Sequence, residues 1–348
     1  MPKLTATVGC VALAALALTA CVPDSRQNVV AAGDIATIRG SGSSAQLGAM
    51  NAWRSDFHKA YPGVRIDYQA NGSDAGVRDF INGVTVFAGS DMPLKPEEQV
   101  LADKRCGSRA LHLPMVVGPI AVAYNLPSAP GLKLSPATMT GVFNGRITKW
   151  DAREIVADNR GARLPHTDIK VLYRSDNSGT SHNFTAYLRA AGGWPYKPSG
   201  TWPAPGRGVE SSGGIVNAVQ ETEGSIGYLE YGFASDAKLQ IAKVRNGAGE
   251  FVALTPESAS RSLSGAKVVG ENGDLVMRLD YRTKKTGAYP IILVTYEIAC
   301  HEGSDPQLRN FLRYTAGNAG QSYLSLFGYA PLPPEVIVRV RAQIAAMT

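Results

Sequence analysis

The sequence predicts an α/β protein with mainly parallel sheets, folded as two lobes that two extended strands connect. Short apolar, β-branched runs alternate with helical patterns along the chain, which is the order expected of parallel sheets flanked by helices. Two longer apolar stretches, Leu113–Tyr124 and Pro290–Cys300, are suited to cross between lobes. The chain has 348 residues, of which 44% are hydrophobic and 18% charged, enough for a sizeable folded core.

The two crossovers also predict where one lobe ends and the other begins. We expect the first lobe to comprise residues 38–117 together with 290–348, and the second lobe to comprise residues 118–289. Both ends of the folded chain would then belong to the first lobe.

The N-terminus has the pattern of an export signal. Lys3 precedes an apolar run from Val8 to Leu18, which is too short for an ordinary transmembrane helix and is typical of a signal-peptide core. The run ends in Leu18-Thr19-Ala20-Cys21, a branched residue and two small residues before Cys, and this resembles the bacterial lipobox. The alternative is a plain secretory signal with a cleavage site nearby.

The lipobox interpretation assigns the whole N-terminal segment. Residues 1–20 would be a lipoprotein signal peptide, Cys21 would be lipidated, and residues 21–37, which are polar and lack an apolar period, would form a tether. Stable anchoring needs more than one acyl chain. The resemblance to lipoproteins implies that Cys21 carries several such chains. We therefore expect the protein to be held at the cell membrane, on its extracytoplasmic face.

The four cysteines fall into three groups. Cys10 lies in the signal segment and Cys21 takes the lipid, so Cys106 and Cys300 remain as an even pair in an exported chain. This pattern predicts one disulfide between them. Two buried free thiols are the alternative.

Turns of Gly and Ser precede several predicted helices. Gly40–Ser44 follows a short strand at Thr37–Arg39 and leads into a helix that Tyr61-Pro62-Gly63 ends. Asn71–Gly76 follows a strand at Val64–Tyr68 and leads into a second helix, and Gly213-Gly214 begins another. The first N–H groups of a helix lack partners and carry the positive end of its dipole, so several such turns favour an anion site.

The most informative turn is Tyr173–Ser181, between a strand at Ile169–Leu172 and a helix through Phe184–Ala191. Arg174 offers a planar fork of donors that matches two oxygens of one oxyanion, and Asp176 could hold it in place. A simple helix cap is the alternative function of this turn.

Asp91 lies just beyond the carboxyl end of the predicted strand Val84–Ala88, after Gly89 and Ser90. Open α/β sheets bind their ligands at the carboxyl ends of strands, so this carboxylate is a candidate ligand residue. Ser-Asp-x-Pro is also a common turn sequence, which is the alternative interpretation.

The rest of the chain continues the α/β pattern. The segment 192–214, rich in Gly, Pro and Trp, is expected to be an ordered surface segment. The remaining predicted elements are helices at 137–143, 152–157, 215–221, 256–263, 306–314 and 334–344, and a strand at 225–231.

Composition and absent motifs exclude several functions. The formal charge of +6 is scattered without a basic tract, which argues against nucleic acid as a partner. The sequence has neither a P-loop nor a Gly-x-Ser-x-Gly nucleophile elbow. None of its five His has another His or a Cys at the spacing of metal ligands. No metal or cofactor is expected, and His182 is interpreted as a helix residue at the rim of the site rather than a base.

Several of these stretches, in order, resemble the PstS family, the phosphate-binding proteins of bacterial high-affinity phosphate ABC importers. The resemblance extends from about Ile38 to the C-terminus. The stretches are Gly40–Ser44, Gly72-Ser73, Ala88–Leu94, Ile147–Asp151, Arg174–Ser181 and Ile226–Tyr231. It implies a two-lobed periplasmic-binding-protein-like fold of type II, with the ligand cleft between the lobes.

The resemblance also implies a set of phosphate-binding residues. These are Ser44, Ala45, Ser73, Asp91, Arg174, Ser178, Gly179 and Thr180, with Asp176 supporting Arg174. Two positions depart from the family pattern: Ala45 replaces an aromatic residue, and Asp74 places a carboxylate beside the second turn, where it either faces solvent, caps its own helix or weakens binding.

Asp91 explains why this set would choose phosphate. Near neutral pH phosphate keeps at least one proton and sulfate keeps none, so a buried carboxylate would accept from phosphate and repel sulfate. Discrimination on the order of 10⁴ is expected where a buried charged group is left unpaired.

The predicted function is to bind inorganic phosphate and deliver it to the membrane permease of an ABC importer, without catalysis. The expected protein is a monomer. The alternatives are a secreted phosphatase-like hydrolase that uses Ser178 or Thr180, a receptor or sensor that does not transport, and an importer protein for sulfate or molybdate, against which Asp91 argues.

Overall fold

The computed structural model describes residues 35–263 and 265–348, and Ile35–Thr348 form one compact unit. The predicted signal peptide at 1–20, the lipidation site Cys21 and the tether up to residue 34 lie outside the described residues. The first strand begins at Ala36, so the last two residues of the predicted tether already belong to the fold.

The strands follow the alternation that the sequence predicts. They are β1 Ala36–Gly42, β2 Val64–Gln69, β3 Phe87–Ser90, β4 Ala110–Tyr124, β5 Lys133–Leu134, β6 Lys170–Arg174, β7 Arg207–Val209, β8 Ser225–Glu230, β9 Gln240–Ile241, β10 Lys243–Arg245, β11 Phe251–Val252, β12 Lys267–Val268, β13 Met277–Arg278 and β14 Ile292–Cys300. The predicted strand at 84–88 starts later than expected, because the N–H groups of Val84 and Thr85 bond to the Asp79 carbonyl as the preceding helix closes.

Helices lie between most of the strands. They are α1 Leu47–Ala60, α2 Ser73–Ile81, α3 Pro96–Cys106, α4 Pro136–Phe143, α5 Arg153–Asp158, α6 Gly179–Tyr187, α7 Ser211–Glu221, α8 Tyr231–Asp236, α9 Pro256–Leu263, α10 Pro306–Ala316, α11 Asn318–Ser322 and α12 Pro334–Ala346. A π-helical turn at Leu188–Gly192 extends α6, and a 3₁₀ turn lies at Leu324–Phe327. None of the helices in the described part of the chain is long and apolar enough to cross a membrane.

One large sheet organises the fold, with the strand order β2-β1-β3-β14-β4-β8-β6-β7 and β9 beside β4. Strands β2, β1 and β3 pair in parallel and are here called the first wing. Strands β8, β6 and β7 also pair in parallel and are called the second wing. The parallel pairing that the sequence predicts is therefore found in both wings.

The two predicted crossovers are the central strands β4 and β14, which run antiparallel to each other. All fifteen residues of β4 are buried, as expected for a strand covered on both faces. Its first part pairs with β14, and its last part, from Ile120 to Tyr124, pairs with β8 of the second wing. A β-bulge interrupts the β14–β4 ladder between Thr295 and Tyr296.

The segment 192–214 is an ordered and largely exposed segment, as the sequence predicts, but its two tryptophans pack into the core. Trp194 and Trp202 are buried, and Trp202 stacks on Tyr173 and Tyr228 with ring centroids 5.7 and 5.4 Å apart. Residues Arg207–Val209 add the edge strand β7. Gly and Pro give this segment its turns, while its aromatic rings supply core.

The predicted disulfide is confirmed: Cys106 at the end of α3 is joined to Cys300 at the end of β14, with Cα atoms 5.3 Å apart. Asp305 caps α10 as expected, accepting from the Gln307 N–H at 2.7 Å, and Pro306 follows at the first helical position.

Candidate anion-binding site

The carboxyl ends of three strands, two from the first wing and one from the second, meet at one place between the wings. Ser43 and Ser44 follow β1, Asp91 follows β3, and Arg174 is the last residue of β6. This is the edge at which open α/β sheets hold ligands. All four side chains are buried, so the polar groups here face one another rather than solvent.

Asp91 stands among hydroxyl groups on the side of the first wing. Ser43 Oγ donates to its two carboxylate oxygens at 2.8 and 2.7 Å, Thr295 Oγ1 donates at 2.6 Å and Ser73 Oγ donates at 3.3 Å. The Asp91 N–H donates in turn to Ser73 Oγ at 3.1 Å. The carboxylate is therefore held in place by side chains from β14, from α2 and from the turn after β1.

Burial raises the pKa of Asp91 to about 6. The hydrogen bonds from Thr295 and Ser43 and the charge of Arg174 oppose this rise, while the negative charge of Glu230 adds to it. Asp91 is consequently ionised at neutral pH and accepts hydrogen bonds, but it needs little acid to gain a proton.

The second wing contributes a fixed cation. Arg174 Nε donates to Asp176 Oδ1 at 2.7 Å, and Nη2 makes a second short contact to Asp176 Oδ2, so the two side chains form a fork. Burial works to raise the pKa of Asp176, but its pairing with Arg174 outweighs this and holds the pKa below the usual range. Both charges are retained, and the guanidinium cannot turn away from the site.

Arg174 also touches hydroxyl groups with its outer nitrogens. Nη1 donates to Ser212 Oγ at 2.9 Å and Nη2 donates to Ser44 Oγ at 3.1 Å. Thr180 Oγ1 lies 3.5 Å from Nη1 and donates to Glu230 Oε1 at 2.6 Å. The contact with Ser44 joins the two wings, because Ser44 follows β1 whereas Arg174 ends β6.

Gly179 is the second point of contact between the wings. A Cβ atom at this position would lie 2.5 Å from both Ser73 Oγ and Asp91 Cβ, so only glycine permits the approach. Asn183, one turn further along α6, donates from Nδ2 to the carbonyls of Asp91 and Gly179 at 2.7 and 2.9 Å. The start of α6 is thereby fixed against Asp91.

The residues predicted from the sequence are largely brought together. Ser44, Ser73, Asp91, Arg174, Gly179 and Thr180 lie around this place, with Asp176 behind Arg174. Two predicted groups are otherwise engaged: the Ala45 N–H donates to Ser43 Oγ at 3.0 Å, and Ser178 caps α6 by accepting from the Ser181 N–H at 3.3 Å. Asp74 faces Arg78 on its own helix at 3.6 Å and is partly exposed, so it does not point at Asp91.

Four residues of the site were not singled out from the sequence. Ser212 lies at the fourth Gly/Ser helix start, and Glu230 lies at the carboxyl end of β8, so both had a usable signal. The resemblance points to Ser44 and not to its neighbour Ser43, because sequence alone does not show which hydroxyl of a turn faces inward. Thr295 lies within an apolar strand and had no signal.

No group of three or more His, Cys, Asp or Glu side chains in residues 35–263 and 265–348 is placed to hold a metal ion. Burial lowers the pKa of His182, with the charge of Lys95 adding to the effect. His182 lines a cavity of about 200 Å³ beside Asp91. Its place on α6 next to the site agrees with the rim position predicted for it.

The arrangement combines many donors with one acceptor. The guanidinium, the hydroxyl groups and the helix starts suit the oxygens of an anion, whereas Asp91 suits a hydrogen on that anion. A buried group of this kind rejects an anion without a hydrogen, because the carboxylate would face lone pairs only. The chemistry fits a tetrahedral oxyanion that carries at least one proton.

Comparison with known proteins agrees with this assignment. A family model described as a PBP superfamily domain matches residues 29–319. The fold and the site thus define a two-lobed α/β binding protein of that superfamily, which confirms the predicted fold class. Within the superfamily, the chain belongs to the PstS family of phosphate-binding proteins, as its relatives show.

Those relatives match over nearly the whole chain. Phosphate-binding protein PstS 3 of Mycobacterium tuberculosis (strain ATCC 25618 / H37Rv) is 40% identical, covering 98% of this chain and 98% of the relative. Phosphate-binding protein PstS 2 of the same strain is 39% identical over 99% of this chain and 98% of its own length. PstS of Xylella fastidiosa is 30% identical over 89% and 85%.

Solved structures show the same fold. A high-affinity periplasmic phosphate-binding protein, PfluDING bound with phosphate, has a TM-score of 0.72 at 25% identity, covering 88% of this chain and 93% of that chain. The phosphate-binding protein from Stenotrophomonas maltophilia has a TM-score of 0.67 at 19% identity, covering 88% and 93%.

Proposed function

We propose that this protein binds inorganic phosphate outside the cytoplasmic membrane and delivers it to an ABC phosphate importer. One observation supports this most strongly: Asp91 and Arg174 face the same buried place, where a single acceptor stands among several donors. Membership of the PstS family supports it independently.

The residue roles in this proposal follow from the contacts. Arg174, steadied by Asp176, attracts the anion, and the hydroxyls of Ser44, Ser73 and Thr180 can turn from their present partners to its oxygens. The Ala45 N–H, once it leaves Ser43 Oγ, and the residues Ser178 and Gly179 at the start of α6 complete the shell; the Ser178 N–H itself is held by the Gly200 carbonyl. Asp91 accepts the phosphate hydrogen and so selects phosphate.

The surroundings of the site belong to the same proposal. The lobes comprise residues 38–117 with 290–348 and residues 118–289, and the contacts of Ser44 and Gly179 between wings support closure of the lobes around the ion. Cys21 carries the lipid anchor, the permease subunits receive the ion, and the protein acts as a monomer that releases phosphate unchanged.

Calorimetric titration with phosphate, sulfate and a phosphate monoester tests this function. Phosphate should bind with a clear saturable heat, and sulfate should not. In Asp91→Asn, phosphate affinity should fall by about 10²-fold and sulfate rejection should weaken, because the amide can donate to an unprotonated oxygen. Unchanged selectivity in this variant would rule out the role of Asp91.

Two further measurements test the remaining parts. Mass spectrometry of the membrane fraction should find Cys21 as a lipidated N-terminus, and Cys21→Ser should release the protein into the soluble fraction. Purified protein should leave p-nitrophenyl phosphate unhydrolysed; hydrolysis that Thr180→Val abolishes would establish an enzyme instead.

A further inference from the structure

A second buried acid lies behind Asp91, outside the set of residues assigned so far. Glu297 is in the middle of β14 and is fully buried, yet neither of its carboxyl oxygens makes a hydrogen bond to the described residues. An ionised carboxylate left without donors in a protein interior is strongly destabilising. A neutral acid would avoid this cost and would itself carry a hydrogen to donate.

The register of the sheet locates the partner of this hydrogen. Glu297 is directly opposite Gly89 of β3, and side chains that are directly opposite in an antiparallel pair lie on the same face. A Cβ atom at Gly89 would lie 2.1 Å from Gln46 Nε2 and 2.3 Å from Tyr68 Oη. The space that Gly89 leaves empty is therefore filled by Gln46 and Tyr68, and Glu297 stands beside them.

The Ser43 carbonyl fixes the direction of hydrogen donation along the chain Ser43–Tyr68–Gln46. The Ser43 carbonyl can only accept, so the Tyr68 hydroxyl donates to it at 2.9 Å. Tyr68 Oη can then only accept from Gln46, whose Nε2 donates at 3.1 Å. This orients the Gln46 amide and leaves Gln46 Oε1 buried without a donor, which is the acceptor that a protonated Glu297 requires.

We propose that Glu297 is a neutral hydrogen-bond donor that positions Ser43 against Asp91 through Gln46 and Tyr68, and so sharpens the choice of phosphate over sulfate. The proposal rests on the proposed function, since it concerns how that site discriminates. Glu297 does not touch the anion; it acts through the turn that holds Ser43.

Ser43 is the point at which this chain of hydrogen bonds reaches the site. Its hydroxyl has one hydrogen and lies within 2.8 Å of both oxygens of Asp91. A small displacement of Ser43 therefore decides which oxygen remains free to accept from phosphate. The chain from Glu297 fixes the backbone of this residue and thereby fixes the geometry of the acceptor.

The electrostatics agree with a neutral Glu297. Burial raises the pKa of Glu297 well above its usual range, and the nearby charge of Asp91 adds to this. The Gln46 amide could offer its second Nε2 hydrogen to an ionised Glu297, which opposes the rise in pKa but does not cancel it. Asp91, which has hydroxyl donors and Arg174 nearby, retains its charge more readily than Glu297, whose oxygens have no donor among the described residues.

The test compares Glu297→Gln with Glu297→Leu. The Gln variant retains a donor for Gln46 Oε1 and should keep phosphate affinity within about threefold of wild type. The Leu variant lacks the donor and should lose about tenfold in phosphate affinity, together with part of its sulfate rejection. Tyr68→Phe breaks the same chain further along and should reproduce the loss, even if the Leu variant does not fold. Glu302→Gln, an exposed substitution near the end of the same strand, is the matched control.

Infrared spectroscopy of the phosphate-free protein at pH 8 tests the protonation directly. Wild type should show a protonated carboxyl band that Glu297→Gln removes. Absence of this band, equal losses in the Gln and Leu variants, or full selectivity in Tyr68→Phe would overturn the proposal. If the band is present but wild type binds no phosphate in calorimetry, the proposed function fails while the hydrogen-bond assignment stands.

Discussion

The two sides of the site do different physical work. On the side of the second wing, Arg174 and Asp176 form a fixed ion pair, and the charge of the guanidinium does not depend on pH in the physiological range. On the side of the first wing, Asp91 is a buried acid whose pKa is raised to about 6. In the proposed function, attraction and discrimination are therefore separated: one side supplies a permanent charge, and the other supplies a group whose charge depends on its protonation.

The largest effect is expected from removing the permanent charge. Arg174→Ala deletes the donors to Ser44 and Ser212 and leaves Asp176 without its partner, so phosphate affinity should fall by about 10³-fold at neutral pH. Calorimetry measures the loss, with Arg153→Ala, an exposed arginine, as the control. A loss smaller than tenfold would mean that attraction does not come from this side.

A substitution at the contact between the two sides should have the next largest effect. Gly179→Ala places a methyl group 2.5 Å from Ser73 Oγ and Asp91 Cβ, so it should push the wings apart and reduce phosphate affinity about 10- to 100-fold. Gly213→Ala is the matched control at another helix start, because its nearest atom there would be Ser211 Oγ at 3.9 Å. Equal affinities in the two variants would contradict the close approach.

The raised pKa of Asp91 should make the stability of the protein depend on pH. Asp91 has a folded-state pKa of about 6 against an ordinary value of 3.8, so its stabilising contribution is complete below pH 3.8 and is lost as the pH rises through about 6. The loss amounts to about 3 kcal/mol. Phosphate-free Asp91→Asn should therefore melt at a higher temperature than wild type at pH 8, and this advantage should shrink toward pH 4.

Thermal melts at several pH values measure this difference, and Glu221→Gln, an exposed carboxylate on α7, serves as the control. A melting difference that does not change with pH would show that Asp91 has an ordinary pKa. As the pH falls from 8 toward 4, sulfate rejection should weaken, because protonated Asp91 can donate to an unprotonated oxygen of sulfate.

The smallest effect on binding is expected from the disulfide, which touches neither side. Cys106 and Cys300 are 194 residues apart in sequence, and closing a loop of that length stabilises the folded state by about 5 kcal/mol in the chain-entropy picture. The Cys106→Ser, Cys300→Ser double variant should unfold at a clearly lower denaturant concentration but bind phosphate within about threefold of wild type. A large change in phosphate affinity would show that the disulfide contributes to binding as well as to stability.

Sequence reasoning located the site but did not resolve its inner geometry. Gly/Ser turns before helices and a carboxylate after a strand are local signals that point to Arg174 and Asp91, whereas Ser44 and Ser73 come from the resemblance to the PstS family. Thr295 and Glu297 lie in a long strand that is otherwise mostly apolar, and only strand register shows which side chains stand opposite them. The hydroxyl of Ser43 and that of Ser44 differ only in direction, which the sequence does not contain.

In the fold, too, features with a local sequence signal were predictable, and features set by contacts distant in sequence were not. Alternation of strands and helices predicted the parallel wings, and long apolar runs predicted β4 and β14. The Gly and Pro residues of the segment 192–214 predict its largely exposed turns, but they do not predict that Trp194 and Trp202 are buried; partners distant in sequence, such as Phe143 and Tyr228, cover Trp202. Local composition describes the turns of such a segment and says little about where its large rings pack.

The burial of Asp91 also couples the shape of the protein to its titration. Since burial is the main cause of its raised pKa, any conformation that admits water to Asp91 turns it into a stronger acid. Between pH 4 and 6, opening of the site would release hydrogen ions to the buffer. The motion of a protein without a chromophore could then be followed by a pH indicator dye in the surrounding solution.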